Sequence, residues 1–149
     1  MKIRITRPDV QIPSYAKDGD AGFDLRAAEE VMMFDNAITA IPTGIHVSIP
    51  KGYTGLVVPR SGQAKRGLTV VNAPGIVDSG YTGEVLVLAH NVSGDAIIVA
   101  KGERIAQMVI VPYLDVEFEV VEELDATDRG DAGFGSTRSE EHTSELQSH

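Results

Sequence analysis

Asn72-Ala-Pro-Gly-Ile-Val-Asp-Ser-Gly-Tyr-Thr-Gly-Glu84 sets one carboxylate (Asp78), one aromatic ring (Tyr81) and one side-chain amide (Asn72) among three glycines and a proline. It runs directly into Val85-Leu-Val-Leu-Ala89. Proline fixes its own φ, and glycine opens backbone conformations closed to other residues. The expected structure is a tight β-hairpin whose backbone can approach a ligand closely, with an acid held at the bend. Taken alone, the same residues also describe an ordinary hairpin with a solvated aspartate.

The strand signals continue on both sides. Short apolar runs at 45–49, 55–58, 68–71, 85–89, 96–100 and 105–111 are rich in Val and Ile, as strands buried on both faces are. Residues 2–6 and 116–120 alternate apolar with polar, and Val116-Glu-Phe-Glu-Val120 is the cleanest half-buried pattern in the chain. Pro42-Thr-Gly44, Pro50-Lys-Gly52, Ser93-Gly-Asp95 and Lys101-Gly102 punctuate these runs as turns, at the roughly eight- to twelve-residue spacing of a sandwich or jelly-roll barrel. No stretch sustains a helical period. The one helix expected is short, Ser61-Gly-Gln-Ala-Lys-Arg66, with Ser61 as N-cap and Gly67 as its stop.

The chain has 149 residues, 42% of them hydrophobic and 23% charged, which describes one globular domain rather than a disordered segment. The absence of cysteine excludes disulfides, thiolate catalysis and zinc–sulfur sites and fits a reducing compartment. No apolar run is long enough to span a bilayer, and Met1-Lys-Ile-Arg-Ile5 lacks a signal-peptide core. A soluble cytoplasmic protein with no membrane partner is expected. The formal net charge of −9 argues against nucleic acid as a partner. Several basic residues nevertheless sit beside glycine or serine, as in Arg60-Ser-Gly62 and Arg129-Gly130. That placement suits a compact anion such as a polyphosphate.

Two further elements carry chemistry. The first backbone N–H groups of a helix are unpaired and partly positive, so Arg60, Ser61 and Gly62 form a candidate phosphate cradle. Arg129-Gly-Asp-Ala-Gly-Phe-Gly-Ser-Thr137 reads as a flexible flap: Phe134 to cover a planar ring, and Arg129, Ser136 and Thr137 to donate to phosphate oxygens. It lacks the Gly-Lys-Ser/Thr of a Walker A loop. The histidines form no metal-binding pattern.

Five segments occur in order: Ala21-Gly-Phe-Asp-Leu-Arg-Ala27, Pro59-Arg-Ser-Gly-Gln-Ala64, the 72–84 segment, Gly102-Glu-Arg-Ile-Ala-Gln107 and the 129–137 flap. Together they resemble the five motifs of the trimeric dUTP diphosphatases (dUTPases). The resemblance implies an all-β, jelly-roll-like distorted barrel. It also implies a homotrimer whose active sites are each assembled from neighbouring subunits, with the last motif as a lid. The expected organisation is a barrel domain over 1–128, the lid motif over 129–137, and a tail over 138–149.

The resemblance further implies a nucleoside triphosphate pyrophosphohydrolase. Water oriented by Asp78 attacks the α-phosphorus of dUTP, releasing dUMP and pyrophosphate. The cofactor implied is Mg²⁺, held by the phosphates and waters, with Asp24 as an outer-shell partner. Asp78 also binds the 3′-hydroxyl, Tyr81 lies under the deoxyribose, and Asn72 with backbone groups reads uracil. Arg60, Ser61, Gly62 and Gln107 contact the phosphate chain, Arg129, Ser136 and Thr137 the γ-phosphate, and Phe134 stacks on the base. Arg66 and Arg104 are expected as structural ion-pair partners.

The chain departs from the family where Ala132-Gly133 replaces Gly-Gly, and again after Thr137. There, Arg138-Ser-Glu-Glu-His-Thr-Ser-Glu-Leu-Gln-Ser-His149 reads as the translation of a sequencing-adapter oligonucleotide. It is expected to be a disordered, non-native tail, which resequencing across Thr137/Arg138 checks. Two other classes compete with the dUTPase reading: a dCTP deaminase on a similar barrel, and a non-catalytic nucleotide-binding protein.

Overall fold

The computed structural model describes residues 1–133. Met1–Asp115 forms one compact unit and the chain from Val116 a second.

Within the first unit, ten strands surround one short helix: β1 (Lys2–Ile5), β2 (Gly22–Arg26), β3 (Val31–Met33), β4 (Ile38–Ser48), β5 (Tyr53–Pro59), α1 (Ser61–Lys65), β6 (Leu68–Val70), β7 (Gly75–Val77), β8 (Glu84–Asn91), β9 (Ile97–Val99) and β10 (Arg104–Pro112). One four-stranded sheet has the order β1-β4-β8-β6, a second β2-β10-β5-β7, and β3 pairs with β9. Every pairing is antiparallel. The fold is the all-β, jelly-roll-like one expected.

One buried cluster holds the sheets together, with Leu25, Met33, Ile41, Val47, Val87, Val99 and Met108 at its centre. Each such side chain contributes about 1.5–3 kcal/mol when withdrawn from water. In β8, Val85, Val87 and Ala89 point inward while Leu86 remains 47% exposed; in β9, Ile98 is 59% exposed. The Val/Ile runs are therefore covered on one face within the chain, not both. An antiparallel sheet needs only one face on the core.

Three local expectations are corrected. Pro42-Thr-Gly44 is not a turn. β4 runs straight through it, and the register slips there, from Pro42 opposite Leu86 to His46 opposite Glu84. Four residues of β4 thus span two of β8, and the surplus is a bulge. Gly44 takes φ +74° within it, a conformation glycine adopts without steric cost. The helix starts one residue earlier than expected: Arg60, extended at φ −93° and ψ 138°, is the N-cap and makes no side-chain capping bond. Finally, residues 116–120 form no strand. Val116, Phe118 and Val120 are 51%, 92% and 99% exposed, and the segment has no ladder partner among the described residues. Alternation prepares one face for burial, but a strand also needs a neighbour to take its backbone hydrogen bonds.

Candidate functional site

The first half of the site lies on the sheet ordered β2-β10-β5-β7. Asp24 of β2 stands opposite Gln107 of β10, which in turn stands opposite Val58 of β5. Gln107 Nε2 donates to the Pro59 carbonyl at 3.1 Å. A Cβ at Gly22 would fall 2.5 Å from Gln107 Oε1, so the amide rests where only glycine leaves room. Beyond Pro59 comes the cradle. Arg60 Nε donates to Asp24 Oδ1 at 2.8 Å, and Arg104 Nη1 lies 3.8 Å from Asp24 Oδ2. One carboxylate thus carries two guanidinium groups at the edge of the cradle, leaving a net cationic surface suited to phosphate.

Gln63 fixes the helix in this position. It is buried, donates from Nε2 to the Arg104 carbonyl and to Glu103 Oε2 at 2.7 Å each, and accepts from Arg66 Nε at 2.6 Å. Arg66 also pairs with Glu103 at 2.5 Å. Arg66 and Arg104 are thus ion-paired as expected. Sequence reading missed Gln63, because a glutamine in a five-residue helix carries no signal of its burial.

The second half lies where the chain crosses between sheets. β7 pairs with β5, whereas β8 pairs with β4 and β6. The expected hairpin is therefore not one: its two arms belong to different sheets, and the bend joins the layers. The Tyr81 N–H donates to the Asp78 carbonyl at 3.0 Å, closing a turn over 78–81. Beside it lies a cavity of about 170 Å³ lined by Val57, Ile76 and Val77 from one sheet, Val85, Leu86 and Leu88 from the other, and Asn72, Gly75 and Tyr81. The Asn72 amide covers Gly75, where a Cβ would come within 3.3 Å of Nδ2. Asp78 is exposed. An apolar slot, an amide, a ring edge and an acid suit a small planar heterocycle carrying a sugar. A concavity of about 420 Å³ between Met1, Tyr15, Phe23 and Tyr53 contains none of the expected site residues.

The two halves do not meet in one chain. Val77 stands opposite Gly55, and Arg60 follows five residues on, extended and just past the end of β5, so the acid-bearing turn and the cradle are roughly 17 Å apart at the usual rise of a strand. In the second unit, Arg129 Nε donates to the Ala132 carbonyl at 2.6 Å. Phe134, Ser136, Thr137 and the 138–149 tail lie outside the described residues.

Among the described residues, no three His, Asp or Glu side chains gather as a metal cage. No helix there is long and apolar enough to cross a membrane. Asp24 is the carboxylate nearest the cradle. With Arg60 on Oδ1 it keeps lone pairs for a water, since an ionised carboxylate offers about four acceptor sites. The donor set fits a hard cation carried by phosphates and waters, and does not fit one held by protein alone.

The dUTPase family model matches residues 8–138. Deoxyuridine 5′-triphosphate nucleotidohydrolase of Hydrogenobaculum sp. (strain Y04AAS1) is 45% identical over 139 residues, covering 91% of this chain and 95% of its own. The protein of the same name from Hahella chejuensis is 48% identical over 134 residues, covering 87% and 88%. Among solved structures, the Staphylococcus bacteriophage 80alpha dUTPase with dUpNHpp superposes at TM-score 0.84 and 30% identity, covering 91% of this chain and 96% of that one. A mutant dUTPase of S. aureus phage phi11, described as revealing coordination of a structural Mg(II) ion, gives 0.77 at 27% identity over 84% and 98%.

Proposed function

The chain belongs to the dUTPase family, and we infer from its site that it hydrolyses dUTP to dUMP and pyrophosphate. The observation that carries this is the slot between the sheets, walled by Asn72, Gly75 and Tyr81, with Asp78 on the turn that Tyr81 closes. Asn72 and the neighbouring backbone read the uracil edge. Cytosine reverses the donor–acceptor pattern and would leave buried groups unpaired. Tyr81 lies under the deoxyribose and leaves no room for a 2′-hydroxyl.

Asp78 accepts the 3′-hydroxyl and holds a water in line with the α-phosphorus. As the new P–O bond forms, the bond to the bridging oxygen of the β-phosphate breaks and pyrophosphate leaves. The water's proton moves toward the Asp78 carboxylate. Arg60, the Ser61 and Gly62 N–H groups and Gln107 hold the phosphate chain, and Arg129, Ser136 and Thr137 hold its γ end, with Phe134 over the base. Mg²⁺, when bound by the triphosphate with Asp24 reached through water, supplies charge neutralisation at the phosphates.

The roughly 17 Å along β5 between turn and cradle supports a site shared between copies, and we take the assembly to be a homotrimer. Sedimentation checks it: a mass three times that of one chain is expected, whereas a monomer that turns over dUTP would overturn the shared site. The absence of cysteine supports a cytoplasmic setting. Pyrophosphate release from dUTP, dCTP, dTTP and UTP tests the activity. dUTP is expected to react, with the other three slower by about a hundredfold or more. Equal rates across the four would sink this assignment, and ammonia release from dCTP would replace it with deamination.

A further inference from the structure

Arg7 lies outside all five motifs, in the segment after β1. Its guanidinium forms a two-pronged pair with Glu84, Nε to Oε2 at 2.8 Å and Nη2 to Oε1 at 3.1 Å. Its remaining nitrogen, Nη1, is 3.6 Å from Glu29. Glu84 is the first residue of β8, immediately after the acid-bearing turn, and the sequence separation of the pair is 77 residues.

The same glutamate carries two more contacts. Its Oε2 accepts the Gly44 N–H at 2.8 Å, a donor the β4 bulge has taken out of the ladder. Its backbone carbonyl accepts the Tyr81 hydroxyl at 2.7 Å. Tyr81 folds back over Gly83, where a Cβ would come 2.6 Å from the phenol oxygen. Any side chain at 83 would push the ring away.

A parallel strut holds the residue between. His46 Nδ1 lies 2.8 Å from the Thr82 carbonyl, and His46 Nε2 lies 3.1 Å from Thr6 Oγ1. A carbonyl only accepts, so Nδ1 carries the proton, and in the neutral ring Nε2 accepts from the Thr6 hydroxyl. Thr6 in turn donates its N–H to the Gly44 carbonyl at 3.0 Å. Residues 6 and 7 and the β4 bulge thus grip the stretch 82–84 from one side. The Arg7 hydrogen bonds also hold the Glu84 carboxyl below its ordinary value against the opposing effect of burial, so the clamp stays ionised at neutral pH.

We propose that Arg7 is a positioning residue for sugar selection, acting through Glu84 on the ring of Tyr81. This rests on the reading of Tyr81 as the surface under the deoxyribose. A bidentate guanidinium–carboxylate pair is a stiff joint. With it broken, the Glu84 carbonyl that anchors the phenol is free to shift, and the ring no longer blocks a 2′-hydroxyl at a fixed distance.

The test compares kcat and KM for dUTP and UTP in Arg7→Met, Arg7→Lys, Tyr81→Phe, Tyr81→Ala and the Arg7→Met/Tyr81→Phe double variant, with thermal unfolding measured alongside. Arg7→Met is expected to lower the dUTP/UTP ratio of kcat/KM about tenfold, chiefly by lowering KM for UTP, with kcat for dUTP held within about twofold. Arg7→Lys, which keeps the charge but not the fork, should recover part of the ratio. Tyr81→Phe removes the hydroxyl through which Arg7 acts, so adding Arg7→Met to it should leave the ratio unchanged. Additive losses in the double variant, or an Arg7→Met protein with a lowered melting temperature and an unaltered ratio, would overturn the proposal. Should Arg7→Met fail to fold, Arg7→Lys carries the same comparison. Wild-type discrimination by Tyr81→Ala would overturn the sugar reading itself, independently of anything Arg7 does.

Discussion

Asp78→Asn is expected to lower kcat for dUTP by about 10²–10⁴-fold, the usual worth of a positioned general base. The substitution keeps the size of the side chain and one acceptor oxygen, so a water can still be bound there. It removes the charge that draws the proton off that water as the phosphorus–oxygen bond forms. The fold should be indifferent to the change, because Asp78 is exposed and its carboxylate makes no hydrogen bond or ion pair among the described residues. Its backbone carbonyl, which closes the turn with Tyr81, is untouched. Steady-state pyrophosphate release at saturating dUTP, with a thermal melt on the same preparation, separates the two effects. A variant with unchanged unfolding that kept kcat within about fivefold of the parent would remove Asp78 from the chemistry.

The largest stability effect is expected far from that turn, at Asn91. This side chain is wholly buried at the end of β8. Its Nδ2 reaches the carbonyls of Met33, Phe34 and Asp95 at 3.1, 3.1 and 2.7 Å. Its Oδ1 accepts the Ser93 N–H at 3.0 Å and the Ser93 hydroxyl at 2.7 Å. One amide therefore ties the end of β3 to the turn between β8 and β9. Asn91→Ala strands the buried Met33 carbonyl and removes four half-buried bonds besides, and each group left without a partner costs about 1–3 kcal/mol. A total loss of about 3–5 kcal/mol is expected, a large share of the stability of a domain this size. Denaturant unfolding should show a lowered midpoint with an unchanged slope. A loss below about 1 kcal/mol would mean that the site relaxes or admits water.

Asn91 also marks the boundary of what a single sequence discloses. Val and Ile runs located β5, β6, β8 and β10, because the need to bury apolar surface is written into residue type. From sequence, β7 is expected only as the first arm of a hairpin with β8: Gly75–Val77 is too short to show a period, and its partner is β5, which offers it an edge. The opposite failure is 116–120, which has the best alternation in the chain and no partner within the described residues. Pattern records how a segment would bury itself, whereas pairing depends on what lies beside it.

The site divides the same way. Arg60, Asn72, Asp78 and Tyr81 stood out through residue type and glycine-rich surroundings, and Asp24 and Gln107 through the family resemblance alone. Their partners did not: Asp24 and Arg60 meet across 36 residues, and Arg7 meets Glu84 across 77. No local rule encodes that a bulge in β4 frees the Gly44 N–H for Glu84. Nor does residue type say that the acid and the cradle occupy opposite ends of β5. That follows from strand register, which only the folded chain supplies.

The slot takes its walls from both sheets, with Val57 and Val77 on one side and Val85, Leu86 and Leu88 on the other, and the chain passes from layer to layer at its rim. No part of this recess belongs to a single layer. Any loosening that lets the layers slide or splay by a fraction of an ångström alters the recess before it exposes the core. With the base seated in this slot, as proposed, nucleotide affinity becomes a gauge of interlayer fit. Heat, pressure or a distant substitution at the sheet interface will register first as weaker grip on the base, while the spectroscopic signature of folded β-structure remains intact.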